Sequence, residues 1–167
     1  MEKWDILDSR GVPLGRTFCD GEKLREGEYS LMVQIHLYTP ERTFLMQKRS
    51  AKKKYYPGQW DSTGGRVQAG ESSRNAIMRE VKEELGLSLI QEGPELLARF
   101  CLPEYHVLQD IYAQECSIRL EDCILQEEEV EQVRFAEPEE YFSLLKVNKS
   151  EEYLSMLRAW WKEKENS

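Results

Sequence analysis

Three glutamates lie close together in the segment REVKEELGL, residues 79–87. On an α-helix, the side chains of Glu80, Glu83 and Glu84 fall within an arc of about 100°. Each like-charge pair at this spacing costs a few tenths of a kcal/mol, so a positive partner is needed to offset the repulsion. Arg79 is one candidate, and a hard divalent cation that takes carboxylate oxygens together with substrate phosphates is a second. A solvated acidic helix face is the third interpretation.

The helix that would carry these glutamates is predicted at about residues 72–85. Ile77, Met78 and Val81 recur at helical spacing, which indicates a buried apolar stripe. Gly86 follows where a left-handed C-terminal cap is common. We therefore expect a helix with an apolar stripe on one side and a polar face, with the glutamates, on the other.

The segments around this helix favour strands. Predicted strands cover residues 29–39, 43–50, 96–102, 107–120 and 130–136, and an N-terminal hairpin lies within residues 1–20. Residues 50–65 form an irregular, glycine-containing stretch. Pro138 opens a short helix, and an amphipathic C-terminal helix spans about residues 150–165. This order of elements predicts an α+β fold.

Composition and charge exclude some classes of function. The 167 residues, 40% of them hydrophobic, predict one domain over residues 1–167. With 31 acidic and 23 basic residues the formal charge is -8, which argues against binding to nucleic acid polymers or anionic membranes. The charged N-terminus argues against a signal peptide, and the lack of a long apolar run argues against a membrane span. Four cysteines without C-x-x-C spacing favour reduced thiols and a cytoplasmic location.

Read with its flanks, the glutamate segment belongs to a longer pattern. The pattern is Gly65, five residues, Glu71, seven residues, Arg79, Glu80, aliphatic Val81, one residue, Glu83, Glu84, one residue, Gly86 and aliphatic Leu87. It resembles the signature of the Nudix (MutT) hydrolase superfamily at every defined position, and the resemblance extends over about residues 29–136. Residues 32–61, MVQIHLYTPERTFLMQKRSAKKKYYPGQWD, are especially similar to the isopentenyl diphosphate isomerase-like branch.

The resemblance implies a fold and an activity. The Nudix fold is a mixed β-sheet between helices, an α/β/α sandwich, with a loop-helix-loop catalytic motif that here spans residues 65–87. The implied activity is hydrolysis of a diphosphate linked to another group X, with Mg²⁺ or Mn²⁺ as cofactor. The implied partner is a small-molecule diphosphate, such as a nucleoside diphosphate derivative, and homodimers are common among relatives.

The same resemblance assigns roles to motif residues. Glu83 and Glu84 are expected metal ligands, and Glu80 is a ligand or the general base; Glu83 also counts among the catalytic residues. Arg79 would orient the carboxylates through charge-assisted bonds. The carbonyl of Gly65, or that of Gly64, could complete the metal shell. Glu71 would contribute either to the metal site or to the loop alone.

Outside the motif two interpretations stay open for each candidate. Glu115 could supply an extra metal ligand, or it is an exposed strand residue. The cations that flank the glycine loop could meet substrate phosphates, or they belong to a surface turn, and the nearby aromatic residues could stack on a nucleobase or pack the loop. These candidates are Lys48, Arg49, Lys52, Lys53 and Lys54 for phosphate, and Tyr55, Tyr56 and Trp60 for stacking.

Two other functions compete with hydrolysis. The isomerase needs a cysteine and a metal-binding histidine just after the P-G-x segment, where residues 59–67, QWDSTGGRV, have neither. A non-catalytic ligand sensor of this fold usually carries a damaged glutamate signature, and here every glutamate is present. Hydrolysis is therefore the favoured interpretation.

Overall fold

The computed structural model describes residues 1–167, with nine β-strands and three α-helices. The strands are β1 (Trp4–Leu7), β2 (Pro13–Phe18), β3 (Ser30–Tyr38), β4 (Phe44–Arg49), β5 (Trp60–Asp61), β6 (Thr63–Arg66), β7 (Glu95–Leu102), β8 (Val107–Glu115) and β9 (Val130–Ala136). The helices are α1 (Ser73–Leu85), α2 (Pro138–Leu145) and α3 (Glu151–Glu165). None of these helices combines the length and the apolar composition needed to cross a membrane.

Seven strands form one mixed sheet around β3. This strand pairs antiparallel with β4 and β6 on one side and parallel with β8 on the other. β7 continues the sheet beyond β8, and β4 also pairs with β5 and β9. β1 and β2 form a separate two-stranded sheet, the hairpin expected at the N-terminus. The pairing of Gly64 with Gln34 and of Gly65 with Val33 holds the glycine turn against the central strand.

Side chains alternate across β3, so each face of the sheet has its own core. Val33, Ile35 and Leu37 pack with the apolar stripe of α1. On the other face α2 and α3 pack in an aromatic cluster whose largest members are Tyr38, Phe44, Tyr141, Phe142, Tyr153 and Trp161. Helices thus cover both faces of the mixed sheet, which confirms the predicted α/β/α sandwich.

His36 links the second face to both C-terminal helices. Its Nδ1 lies 2.6 Å from the hydroxyl of Tyr141 on α2, and its Nε2 lies 2.6 Å from the hydroxyl of Tyr153 on α3. A neutral imidazole accepts one of these bonds and donates the other. Burial, together with the charge of Lys149, lowers the pKa of His36 to about 3.

This histidine should make the fold sensitive to acid. The unfolded chain binds the proton near pH 6.5 and the folded protein only near pH 3, so stability is lost as pH falls through this window. The full effect of this pKa shift is roughly 5 kcal/mol. Urea unfolding of wild type and His36→Gln at pH 7, 6, 5 and 4 should show a steeper loss for wild type. His106→Gln is the matched control, and equal slopes for wild type and His36→Gln would contradict the expectation.

The structure departs from the sequence-based expectation in two places. β5 and β6 lie in the stretch expected to be irregular, because the glycines of β6 pair with β3 despite their weak strand propensity. The strand expected at residues 107–120 ends at Glu115, where its parallel partner β3 also ends at Tyr38. Without a neighbouring strand the chain continues as a loop.

Candidate functional site

β6 and α1 border a cavity of 740 Å³ whose lining is mostly polar and charged. Glu80, Glu83 and Glu84 line it together with Gly64 and Gly65. Its volume lies within the range of about 300–1,000 Å³ that is usual for small-molecule sites. The glutamate helix therefore borders a space that can hold a ligand.

Local signals fix the start and end of α1. Ser72 caps the N-terminus, where its Oγ accepts a bond of 3.1 Å from the backbone N–H of Asn75. Gly86 ends the helix in the left-handed conformation, with φ of 71°. Because Ile77, Val81 and Leu85 anchor the helix on the sheet, its rotation about its own axis is fixed.

The two glycines of β6 allow close approach on both sides of the strand. A Cβ on Gly64 would overlap the carbonyl oxygen of Val33 in β3. A Cβ on Gly65 would overlap the carboxylate of Glu80. Glycine at position 64 therefore allows β6 to lie close to β3, and glycine at position 65 leaves room for the Glu80 carboxylate.

Arg79 joins the acidic groups of the motif. Its Nε and Nη2 donate to the two carboxylate oxygens of Glu71 at 2.8 and 3.0 Å. Its Nη1 donates to Glu80 at 2.9 Å and to Glu83 at 3.2 Å, and its Nη2 also reaches the carbonyl oxygen of Arg66. Arg79 thus contacts three carboxylates, and its hydrogen bond to Glu71 raises the pKa of the guanidinium.

The three glutamates differ in burial, which corrects the expectation of one polar face. The Glu83 side chain is 46% exposed and that of Glu80 14% exposed, whereas Glu84 is 6% exposed. Seven residues separate Ile77 and Glu84, nearly two full turns, so they share the buried side of the helix. Burial raises the pKa of Glu80 to about 7, against the opposing charge of Arg79. Burial and the charge of Glu80 raise the pKa of Glu84 well above its usual range.

The oxygen atoms of these residues are of the type that binds a divalent cation, but the side chains as positioned do not surround one. No three acidic, histidine or cysteine groups are close enough together to coordinate an ion, because Glu80 and Glu83 both contact Arg79. Oxygen Oε2 of Glu84 is buried without a hydrogen-bond partner. Three carboxylates beside a glycine backbone form the oxygen-rich set that Mg²⁺ and Mn²⁺ take.

Several expected substrate-binding residues lie across the cavity from α1. Arg49 and Tyr56 line it, as do Tyr55 and Lys53. The Arg49 Nε donates to the carbonyl oxygen of Tyr55 at 3.0 Å, which holds this loop, and Lys53 forms an ion pair with Glu129. The loop before β5 therefore brings cations and aromatic rings to the rim of the site.

Three other expected substrate residues lie outside the cavity. The Nζ of Lys48 lies 3.6 Å from Oε1 of Glu131, and the Nζ of Lys52 lies 2.9 Å from Oε1 of Glu128, so both lysines form ion pairs at the surface. Trp60 packs against the aromatic core with the guanidinium of Arg134 over its ring. Because alternate residues of a strand point to opposite faces, Lys48 and Trp60 turn away from the glutamates.

Neither of the two tentative metal ligands, Glu115 and Glu71, lines the cavity. Glu115 pairs with Tyr38 at the far end of β3, five residues beyond the Val33 and Gly65 pair, and it does not line the cavity. Glu71 uses both carboxylate oxygens on Arg79, and Oε2 also accepts from the backbone of Gln68 at 3.0 Å. Burial opposes its ionisation, but the hydrogen bond from Arg79 lowers the pKa of Glu71.

The floor of the cavity was missed from the sequence. Asp61 accepts bonds from Lys149 at 3.1 Å and from Asn148 at 2.9 Å, and Gln34 donates to it at 3.3 Å. The Lys149 and Asp61 side chains are 9% and 6% exposed. No local pattern marks these residues, because 88 positions separate Asp61 from Lys149. The α2–α3 connection places them together.

Comparisons with known proteins identify the family of the chain. The family model for the NUDIX domain matches residues 30–157. An uncharacterized Nudix hydrolase of Listeria monocytogenes is 35% identical over 145 residues, covering 86% of this chain and 85% of that protein. The isopentenyl-diphosphate Delta-isomerase of Escherichia coli is 29% identical over 85 residues, 50% of this chain and 47% of the isomerase.

The fold also matches that of a solved protein. A crystal structure of a Deinococcus radiodurans protein superposes with a TM-score of 0.74, at 20% identity, over 95% of this chain and 98% of that one. Since the family model matches most of the chain and the Listeria relative aligns along nearly its full length, the chain belongs to the Nudix hydrolase family.

Proposed function

We propose that this Nudix pyrophosphohydrolase cleaves a diphosphate linkage in a nucleoside-diphosphate-X type or related organic diphosphate, with Mg²⁺ or Mn²⁺. The observation that carries the proposal is the cavity itself. It brings the three glutamates of α1 and the glycines of β6 together with four cationic side chains, those of Arg49, Lys53, Arg66 and Lys149. The acidic groups suit a metal, and the cations suit phosphate oxygens.

Glu83 and Glu84 would hold the cation, and Glu80 would act as a further ligand or as the base. A bound divalent cation supplies charge neutralisation at the diphosphate oxygens and a lower pKa for water. Burial raises the pKa of Glu80 to about 7 without a cation, and a bound cation would lower it and favour the ionised carboxylate that a ligand or a base needs. Gly65 lies beside the Glu80 carboxylate, and its backbone carbonyl would add a neutral oxygen.

Arg79 would position the carboxylates instead of contacting substrate. It bonds Glu71 through two parallel N–H groups, and this anchor fixes its guanidinium between Glu80 and Glu83. Glu71 thus acts through Arg79. We include Glu71 among the residues that orient the site and leave it out of the metal shell.

On the substrate side, Arg49 and Lys53 would meet phosphate oxygens. Tyr55 and Tyr56 are 64% and 49% exposed at the rim, where a flat group X could stack on them. Lys149, Asn148 and Asp61 present ammonium, amide and carboxylate groups on the floor, which can hydrogen-bond a polar X. The site therefore favours an organic diphosphate with a polar or aromatic second group.

Chromatographic separation of the products formed from a panel of nucleoside diphosphate derivatives, dinucleotides, nucleoside triphosphates and isoprenoid diphosphates tests this proposal. Cleavage of a diphosphate bridge leaves a phosphate group on each of the two products, so the products themselves have to be identified. With Mg²⁺ or Mn²⁺ we expect turnover of at least one class, none in EDTA, and a loss of at least about 100-fold in Glu83→Gln. Glu115→Gln removes an equal charge outside the cavity and should retain wild-type activity. Metal-independent turnover, or an active Glu83→Gln, would refute the proposal.

The partial similarity to the isomerase makes isomerisation the second candidate. Among the residues that line the cavity there is neither a cysteine nor a histidine, so the residue types on which the isomerase depends are missing. Incubation with isopentenyl diphosphate separates the two activities. We expect no allylic isomer, and formation of the isomer without phosphate release would replace the hydrolase proposal.

A further inference from the structure

Arg66 is a cation of the cavity wall that lacks a partner in the protein. It ends β6, directly after Gly65, and lines the cavity with Glu80. Its guanidinium takes part in none of the ion pairs of the structure. Its Nε is buried without a hydrogen-bond partner. Lys53 and Lys149, in contrast, each contact a carboxylate.

An unpartnered, partly buried charge is unfavourable, and the protein stabilises it by stacking. The guanidinium of Arg66 lies 4.5 Å from the ring centre of Trp4 and 5.6 Å from that of Phe18. A cation over an aromatic face gains electrostatic stabilisation while the N–H groups at its edge stay available. The stacked geometry thus holds the group in place and leaves donors for another partner.

Both rings belong to the N-terminal hairpin, which is fastened to the loop that follows Arg66. The backbone N–H of Ala69 donates to the carbonyl oxygen of Lys3 at 2.8 Å, and that of Gly70 donates to Asp5 at 2.9 Å. A bridge between Leu7 and Tyr29 joins the hairpin to the segment that leads into β3. Trp4 and Phe18 lie in a small apolar cluster apart from the two main cores, and their rings lie beside the guanidinium of Arg66.

We propose that Arg66 is a substrate-binding residue that donates to a phosphate oxygen of the diphosphate, with the hairpin as its positioning device through Trp4. The inference rests on the proposed function. A planar guanidinium matches the spacing of phosphate oxygens, and a dianionic group in the cavity would supply the missing partner. Trp4 acts through Arg66 and does not itself contact substrate.

Binding of methylenediphosphonate, a diphosphate that cannot be hydrolysed at its bridge, tests the inference without turnover. By isothermal titration with Mg²⁺, we expect roughly 10- to 100-fold weaker binding by Arg66→Met, the range for a lost bond to a charged group. Arg66→Lys keeps the charge without the planar fork and should fall between. Arg10→Met, which removes a charge at the exposed tip of the same hairpin, should bind as wild type does.

Variants of Trp4 test whether this residue positions Arg66 or only stabilises the fold. Trp4→Leu should weaken methylenediphosphonate binding several-fold, and Trp4→Phe should restore most of it because an aromatic face remains. Once a substrate is known, KM should rise more than kcat falls in both Arg66 variants. Arg66→Met should unfold at no lower urea concentration than wild type, because it removes an unpartnered charge.

The outcomes distinguish this inference from the proposed function. Wild-type turnover with equal methylenediphosphonate binding by wild type, Arg66→Met and Arg66→Lys would overturn the inference and leave the hydrolase in place. Failure of wild type both to bind the probe and to hydrolyse any diphosphate would overturn both. Weakened binding by both Arg66 variants, with Arg10→Met unaffected, would support the inference.

Discussion

Replacing Glu84 with glutamine is expected to stabilise the protein in EDTA at pH 8 and to abolish its metal-dependent hydrolysis. The Glu84 carboxyl is buried, and its Oε2 has no hydrogen-bond partner. Without a cation, the folded protein must either protonate this group or bury its charge, and both cost free energy at alkaline pH. Glutamine has the same shape and no charge, so it removes this cost together with the proposed metal ligand.

The stability difference should depend on pH with a defined sign. Burial raises the pKa of Glu84 above its usual 4.5, so above pH 4.5 the folded state binds more protons than the unfolded state. Wild-type stability therefore falls as pH rises from about 4.5 toward the folded pKa. In EDTA, Glu84→Gln and wild type should melt together at pH 4.5, and at pH 8 the variant should melt about 3–6 °C higher, for a gain of about 1–2 kcal/mol.

Glu83→Gln is the matched control for this prediction. The side chain of Glu83 is half exposed and contacts Arg79, so the loss of its charge should remove activity without a gain in melting temperature. Added Mg²⁺ should raise the melting temperature of wild type and leave Glu84→Gln unchanged, because a ligand stabilises only the form that binds it. A lower melting temperature for Glu84→Gln at pH 8, or retained turnover, contradicts this account.

Local sequence signals predicted the parts of the site that one element determines. The helix of the glutamates was predictable because Ser72, the apolar stripe and Gly86 lie in one short segment. The burial of Glu84 was also readable, because Ile77 lies seven residues earlier on the same side. The predicted apolar stripe is too narrow, because the prediction places all three glutamates on the polar side of the helix.

The opposite wall could not be predicted, because its residues meet only in the folded chain. Asp61 comes from β5, a two-residue strand whose pairing with β4 has no local signature. Lys149 comes from the connection between α2 and α3. Adjacent residues of a strand point to opposite faces of the sheet, but the sequence does not tell which face borders the cavity. Lys48 and Trp60 lie outside the cavity, whereas Arg49 lines it.

The adjacent glycines of β6 should respond differently to alanine. In Gly64→Ala the new Cβ would overlap the carbonyl oxygen of Val33 and lie 3.2 Å from the Cα of Gln34, all of them backbone atoms. Because backbone cannot rotate away, β3 and β6 must separate, and we expect a loss of about 2–3 kcal/mol in unfolding free energy. Urea denaturation measures this loss, and a change below about 1 kcal/mol would contradict the rigid contact.

Gly65→Ala should lose activity instead of stability. Its Cβ would overlap the carboxylate of Glu80, which is the end of a flexible side chain and can rotate. We expect the fold to be retained within about 1 kcal/mol. Activity should fall about 10- to 100-fold, because small displacements of a reacting group are costly.

A double-mutant cycle with Glu80→Ala isolates the cause of that loss. If the alanine at position 65 acts by displacing Glu80, adding Gly65→Ala to Glu80→Ala should change kcat little further. Independent, additive losses would place the effect of Gly65 elsewhere, in the backbone of β6 or in its carbonyl oxygen. Either result separates the two contributions proposed for this corner of the site, the carboxylate of α1 and the main chain of the strand beside it.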